Sequence, residues 1–186
     1  MTAQHPPVDV HTEEGDGDRV ATVLPGRGYT CDAPLLHHLR LLLHAEGWTV
    51  RTVRWGTPPS PEQLHELAPD LIGAVQAPRH LVVAKSLTTR LLPLAVELDL
   101  PGIWLTPLLR EPGVRAAATR AGVPTLLVGG SADPCWDSDA ATRSGQQVLE
   151  LPRANHSLEV PGDLDASLQA LHTVVVGAAR FLDALG

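Results

Sequence analysis

Apolar and polar positions alternate along this chain in two rhythms, one short and dense, the other spaced by three and four. Arg19 to Leu24 is the first clear strand and stops at Pro25-Gly26. Trp48 to Trp55, with Val50 and Val53 among polar residues, reads as the second. His80 to Ala84 is almost wholly apolar, as expected of a parallel strand covered on both faces. Gly102 to Leu105 and Thr125 to Val128 have the same character, whereas Gln147 to Leu151 is shorter and more polar and reads as an edge. Between the strands lie helical patterns. Pro34 suits a first helical turn, Leu35, Leu39 and Leu42 follow at helical spacing to about Glu46, and Gly47 supplies the stop. The loop from Gly56 to Ser60 leads into a second helix near Pro61. At the far end Leu164, Leu168, Leu171, Val175, Ala178, Leu182 and Leu185 form a stripe expected to pack on the sheet.

Short apolar strands alternating with helices predict an α/β fold, a three-layer α/β/α sandwich with a mostly parallel sheet. Ligands of such sheets sit beyond the carboxyl ends of the strands. Residues 1–18 form a polar N-terminal segment in which Val8 to His11 can make an edge strand and Glu13 to Asp18 a turn. Residues 19–186 then make a single domain.

Composition narrows the function classes. The 186 residues are 44% hydrophobic and 19% charged, which fits a globular chain. A net charge of −7, with no cluster of Lys and Arg, argues against a nucleic-acid partner. The N-terminus lacks the basic and apolar pattern of a secretory signal, and no apolar run is expected to span a bilayer, so no membrane partner is expected either. A cytoplasmic location is the resulting expectation. Cys31 and Cys135 are too few for a disulfide scaffold and too far apart for a zinc knuckle. Nothing in the sequence fixes an oligomeric state. Among 14 basic residues Lys85 is the sole lysine.

The candidate chemistry lies just after the strands. Val82-Val83-Ala84-Lys85-Ser86-Leu87-Thr88 carries a serine off the end of a buried strand. A serine hydroxyl needs a base to become a nucleophile, and a tight strand-to-helix turn gives that base room. The positions two before and two after such a serine favour small residues; here they are Ala84 and Thr88, and Thr88 is the larger departure. The same serine can also be read as a plain N-cap. Asp133 follows Gly129-Gly130 and can orient a histidine, or can belong to an Asp-Pro turn. Asp137 and Asp139 compete with it but suit the cap of the next helix. His156 follows the last strand in Asn155-His156-Ser157, whereas His37, His38, His44 and His65 fall on helices as surface groups. The loop from Leu24 to Thr30 holds Gly26-Arg27-Gly28, where the Arg27 amide can join that of Leu87 as an oxyanion donor. A dinucleotide fingerprint at this loop would need glycine at position 31 and an acid after the next strand, where Cys31, Arg54 and Trp55 stand.

The order Ser86, Asp133, His156 is that of the α/β-hydrolases. With Pro-Gly-Arg-Gly-Tyr-Thr, Ala-Lys-Ser-Leu-Thr, Gly-Gly-Ser-Ala-Asp-Pro and Asn-His-Ser-Leu-Glu-Val, the chain resembles a small, cap-less α/β-hydrolase. The resemblance is to the dienelactone-hydrolase-like branch, with serine as nucleophile, and runs from about Arg19 to Leu185. It implies Ser86 as nucleophile, Asp133 as acid, His156 as base, and the Arg27 and Leu87 amides as oxyanion hole. The reaction expected is hydrolysis of a small-molecule ester or thioester with no metal or organic cofactor. Pro93 is expected to kink the helix behind the serine. The interval between Leu105 and Thr125 has room for a short helix but no lid. Trp55, Thr106, Pro107 and Trp136 are the expected pocket walls. A binding or scaffold protein that keeps the fold without turnover is the competing class, and a nucleotide-binding α/β protein the third.

Overall fold

The computed structural model describes residues 8–186. Seven strands form one sheet: β1 (Val8–Glu13), β2 (Asp16–Leu24), β3 (Trp48–Trp55), β4 (Arg79–Lys85), β5 (Gly102–Leu105), β6 (Thr125–Gly130) and β7 (Gln147–Leu151). Their order across the sheet is β1-β3-β2-β4-β5-β6-β7. Every neighbouring pair is parallel except β1 with β3. The predicted edge strand at Val8 therefore exists, and it runs longer than expected. The acidic stretch is only partly a turn, because Asp16 already belongs to β2, joined to the Gly47 carbonyl at 2.7 Å.

Alternate residues of the central strands serve opposite faces, which yields two apolar layers. Leu81 and Val83 of β4, Ile103 of β5 and Val128 of β6 pack with Leu35, Leu36, Leu39 and Leu43 of α1 (Pro34–Ala45). Val174, Ala178, Phe181 and Leu182 of α6 (Leu164–Leu185) complete that layer. Val82, Ala84, Trp104 and Leu127 face the other way. They meet α2 (Pro61–Ala68), the π-helical turn Pro69–Gly73, α3 (Leu92–Glu97), α4 (Pro112–Arg120) and α5 (Ser138–Arg143).

Local signals explain the helix boundaries. Ser60 and Gln63 close a capping box on α2, and Asp163 caps α6 by accepting the Ala166 N–H at 2.9 Å. Gly47 follows α1 with φ +82°, as the stop signal predicts. Two expectations need correcting. In α1 the buried position is Leu43, with Leu42 only partly covered. In α6 Leu171, Ala178, Leu182 and Leu185 do meet the sheet layer, but Leu164 and Leu168 remain 74% and 54% exposed. By length and composition α6 could also cross a membrane, contrary to the expectation that no segment would; in this fold its inner face lies on the sheet.

Candidate active site

The carboxyl ends of β2, β4, β5, β6 and β7 stand side by side, with Leu24 opposite Ala84, Lys85 opposite Leu105, and Gly130 opposite Leu151. Ser86 is the first residue beyond β4. Its φ of +53° lies in the left-handed region, unusual for a side chain with a β-carbon and characteristic of a sharp strand-to-helix turn. A 3₁₀ segment, Ser86–Leu91, follows, and α3 starts after it. Pro93 therefore stands in the first turn of α3, where a missing N–H is harmless, and no interior kink forms.

Thr88, the apparent misfit of this turn, is fully buried and holds it together. Its hydroxyl oxygen accepts the Lys85 N–H at 3.1 Å, and its proton is placed to reach the carbonyl of Leu24 (3.3 Å) or Lys85 (3.1 Å). Thr89 donates to the Ser86 carbonyl at 2.6 Å and accepts the Leu108 N–H at 3.2 Å, tying the turn to the segment after β5.

Asp133 and His156 converge on Ser86 from the ends of β6 and β7. Asp133 is buried; one carboxylate oxygen accepts the Cys135 N–H at 2.8 Å, and the other lies 2.8 Å from His156 Nδ1. His156 Nε2 is 2.7 Å from Ser86 Oγ. With the ring proton on Nδ1, the imidazole donates to Asp133 and accepts from the serine. Asp137 has the other role considered for it, capping α5 through the Ala140 N–H at 2.8 Å. The histidine turn is shaped by Asn155, whose side-chain oxygen accepts the N–H groups of Ser157 (2.8 Å) and Glu159 (3.1 Å).

Lys85 anchors this turn from below. At 1% exposure it donates to the His156 carbonyl at 2.8 Å and to Thr106 Oγ1 at 3.0 Å, with its ammonium 4.6 Å from the centre of the Tyr29 ring. Burial lowers its pKa to about 8, a shift opposed by the negative charges of Asp133 and Glu159.

A cleft of about 500 Å³ opens over Ser86. Gly26, Arg27, Gly28 and Tyr29 form one wall; Arg90, Leu108, Glu111 and Cys135 form another. Gly26 is so close that a β-carbon on it would stand 3.4 Å from that of Ser86. Its own N–H turns inward to the Tyr29 carbonyl at 2.9 Å, leaving Arg27 at the exposed tip of the loop. Leu87, the other expected oxyanion donor, also lines the cleft. Arg90 and Glu111 are joined by two contacts of 2.9 and 2.5 Å. Burial, then Asp133 and Glu111, push the Cys135 thiol up, which keeps it protonated and a weak nucleophile. Asp133, Cys135 and His156 are the one trio of potential metal ligands among the described residues, with ligand atoms within 4.8 Å of one another. Two of the three are already bonded to each other.

The expected pocket walls lie elsewhere. Trp55 lines a separate cavity of about 320 Å³ with Arg54 and Pro58, shared with the loop but not with Ser86. Thr106 and Pro107 are buried, and Thr106 instead receives Lys85. Trp136 lies in the core, with its indole N–H donated to Glu150 at 2.6 Å. Leu108 and the Arg90–Glu111 pair carry no sequence signal, while Tyr29 and Asn155 stand within recognisable motifs, though the sequence does not show their individual roles. Leu108 and the Arg90–Glu111 pair act through partners 19 and 21 positions away, whereas Asn155 acts on its own turn and Tyr29 stands next to Gly28 in the loop.

No protein-family model and no curated protein sequence matches the chain. Solved structures do. Dienelactone hydrolase from Anabaena variabilis superposes with a TM-score of 0.69 at 17% identity, over 95% of this chain and 91% of that one. Est1E from Butyrivibrio proteoclasticus gives 0.70 at 11% identity, over 96% of each chain. An α/β serine hydrolase without lid from Xanthomonas campestris gives 0.64 at 15% identity, over 94% and 89%. The architecture of this chain is the α/β-hydrolase fold in its lidless form.

Proposed function

We propose that the protein is a serine hydrolase acting on a carboxylic ester or thioester of a small molecule. The observation that carries this reading is the hydrogen-bonded line from Asp133 through His156 to Ser86, at 2.8 and 2.7 Å, under an open cleft. Ser86 attacks the carbonyl carbon while His156 Nε2 takes the hydroxyl proton. Asp133 fixes the tautomer and stabilises the imidazolium that forms. The backbone N–H groups of Arg27 and Leu87 stabilise the oxyanion of the tetrahedral intermediate. His156 then returns the proton to the leaving alkoxide or thiolate, and water, activated by the same histidine, releases the acyl group from Ser86. Side chains and backbone of this chain supply every step.

A fluorophosphonate probe tests the assignment. Wild-type protein is expected to be labelled at Ser86, Ser86→Ala not at all, and Asp133→Asn about 10⁴-fold more slowly. An unlabelled wild type, or unchanged labelling of Ser86→Ala, overturns the reading in favour of a binding protein built on this fold.

A further inference from the structure

Beside the cleft runs a second depression of about 560 Å³ that the hydrolytic chemistry leaves unused. Tyr29 and Ser157 line both, so the two spaces share a wall next to His156. The floor is apolar and buried: Leu35 from α1, and Leu158 and Val160 from the segment after the histidine. The outer wall is the start of α6, with Leu164, Leu168 and Leu171 on one side of the helix. These are the leucines whose exposure breaks the core stripe of α6, at 74% for Leu164 and 54% for Leu168. Large apolar side chains left in water at the mouth of a cavity mark a surface meant to be covered.

Some polar groups of the groove are engaged within the fold. The Tyr29 hydroxyl accepts the Leu35 N–H at 3.0 Å, and Ser167 bonds the backbone of Val160 and Asp163. The charged groups bordering it are Glu159 and Asp163, the latter paired with Arg153 at 3.3 Å. The lining is therefore mainly apolar; the O–H of Tyr29 and the hydroxyl of Ser157 lie on the wall shared with the cleft, beside His156, and the Glu159 carboxylate disfavours a distal carboxylate. A volume of this size falls in the range of small-molecule sites.

We infer that this groove receives a neutral apolar chain of the substrate, so that the favoured esters carry an extended alkyl group in place of a short or charged one. This rests on the hydrolase reading above. The chain can belong to the acyl or to the alcohol side of the scissile bond, and the two are separated by experiment. kcat/KM is measured for p-nitrophenyl acetate, butyrate and octanoate, and in parallel for ethyl, butyl and octyl acetate. In one series kcat/KM is expected to rise by about two- to fourfold per added methylene. Leu168→Asp and Leu164→Asp, both at exposed positions, are expected to cut the octyl-to-short ratio about tenfold while p-nitrophenyl acetate turnover and thermal midpoint stay unchanged.

The series that shows the rise, and loses it in the variants, identifies the side of the bond. A flat profile in both series, with acetate turnover and Ser86 labelling intact, overturns this inference and leaves the hydrolase reading standing. So does a rise that survives both substitutions. A wild-type dimer that Leu168→Asp dissociates without altering the chain-length profile also overturns it, because the groove is then an interface between copies. Absence of acetate turnover and of labelling overturns both readings.

Discussion

Lys85 puts an ammonium where a carbonyl, a hydroxyl and an aromatic face converge. Burying such a charge is unfavourable, and burial draws its pKa down to about 8 against the opposing pull of Asp133 and Glu159. The arrangement persists because those partners satisfy the ammonium while it pins the histidine turn. If His156 serves as base as proposed, Lys85→Met lowers kcat on p-nitrophenyl acetate by about tenfold to a hundredfold with KM little changed, since small displacements of such a group are costly. A KM effect alone, or unchanged kcat, counts against this positioning role. The sequence marked this residue only by its uniqueness. Its partners lie 21 and 71 positions away, so no local pattern could show them. Thr88 was opaque for the same reason: its bulk was visible, but its contact with the Leu24 carbonyl spans 64 positions. Ser86, Asp133 and His156 were legible because each follows a strand whose pattern is local.

At the scale of elements, the end of β6 shows how a pair of glycines makes room for a site. A β-carbon on Gly129 would fall 2.0 Å from the Trp136 ring, and one on Gly130 would fall 2.1 Å from the Ala154 carbonyl oxygen. The first glycine lets Trp136 pack against the strand; the second lets the segment leading to His156 approach Asp133. Gly129→Ala is expected to destabilise the fold by about 1–3 kcal/mol, read as a lower urea midpoint at unchanged slope. An unchanged midpoint would show that Trp136 can move aside. Strand positions were largely readable from the pattern, with β1 and β2 extending into the acidic stretch expected to be a turn. The errors sit where periodicity carries no information about the partner. Leu164 and Leu168 keep the helical spacing, but the first turns of α6 wall a groove rather than meet the sheet. Trp136, an aromatic after a loop, fits a pocket wall and a core equally well until the space over Gly129 is known.

At the scale of the whole molecule, a buried histidine in the sheet makes stability sensitive to acid. His80 of β4 is 6% exposed, lies 2.9 Å from the Thr22 hydroxyl, and has its pKa lowered to about 4 by burial and then by Arg51. As pH falls, the unfolded chain takes up this proton near pH 6.5 and the folded chain only near 4. Stability from this group is therefore complete above about 6.5 and lost as pH falls towards 4, by about 3 kcal/mol. His80→Gln, which keeps an amide near Thr22 and does not titrate, is expected to lose about that much less stability than wild type between pH 7 and 4 in urea unfolding. Equal losses would place the sensitivity elsewhere. The strand order has a further consequence, for assembly in time. Ser86, Asp133 and His156 follow β4, β6 and β7, and β7 is the outermost strand on its side of the sheet. β7 reaches β6 across only 21 positions, Leu126 to Gln147, whereas the central β2–β4 pairing closes 60, Val20 to His80, and the more distant pairing is the slower to close. In a refolding chain the β4–β7 half of the sheet can thus gather Ser86, Asp133 and His156 before β2 brings in the glycine loop that forms the opposite wall of the cleft.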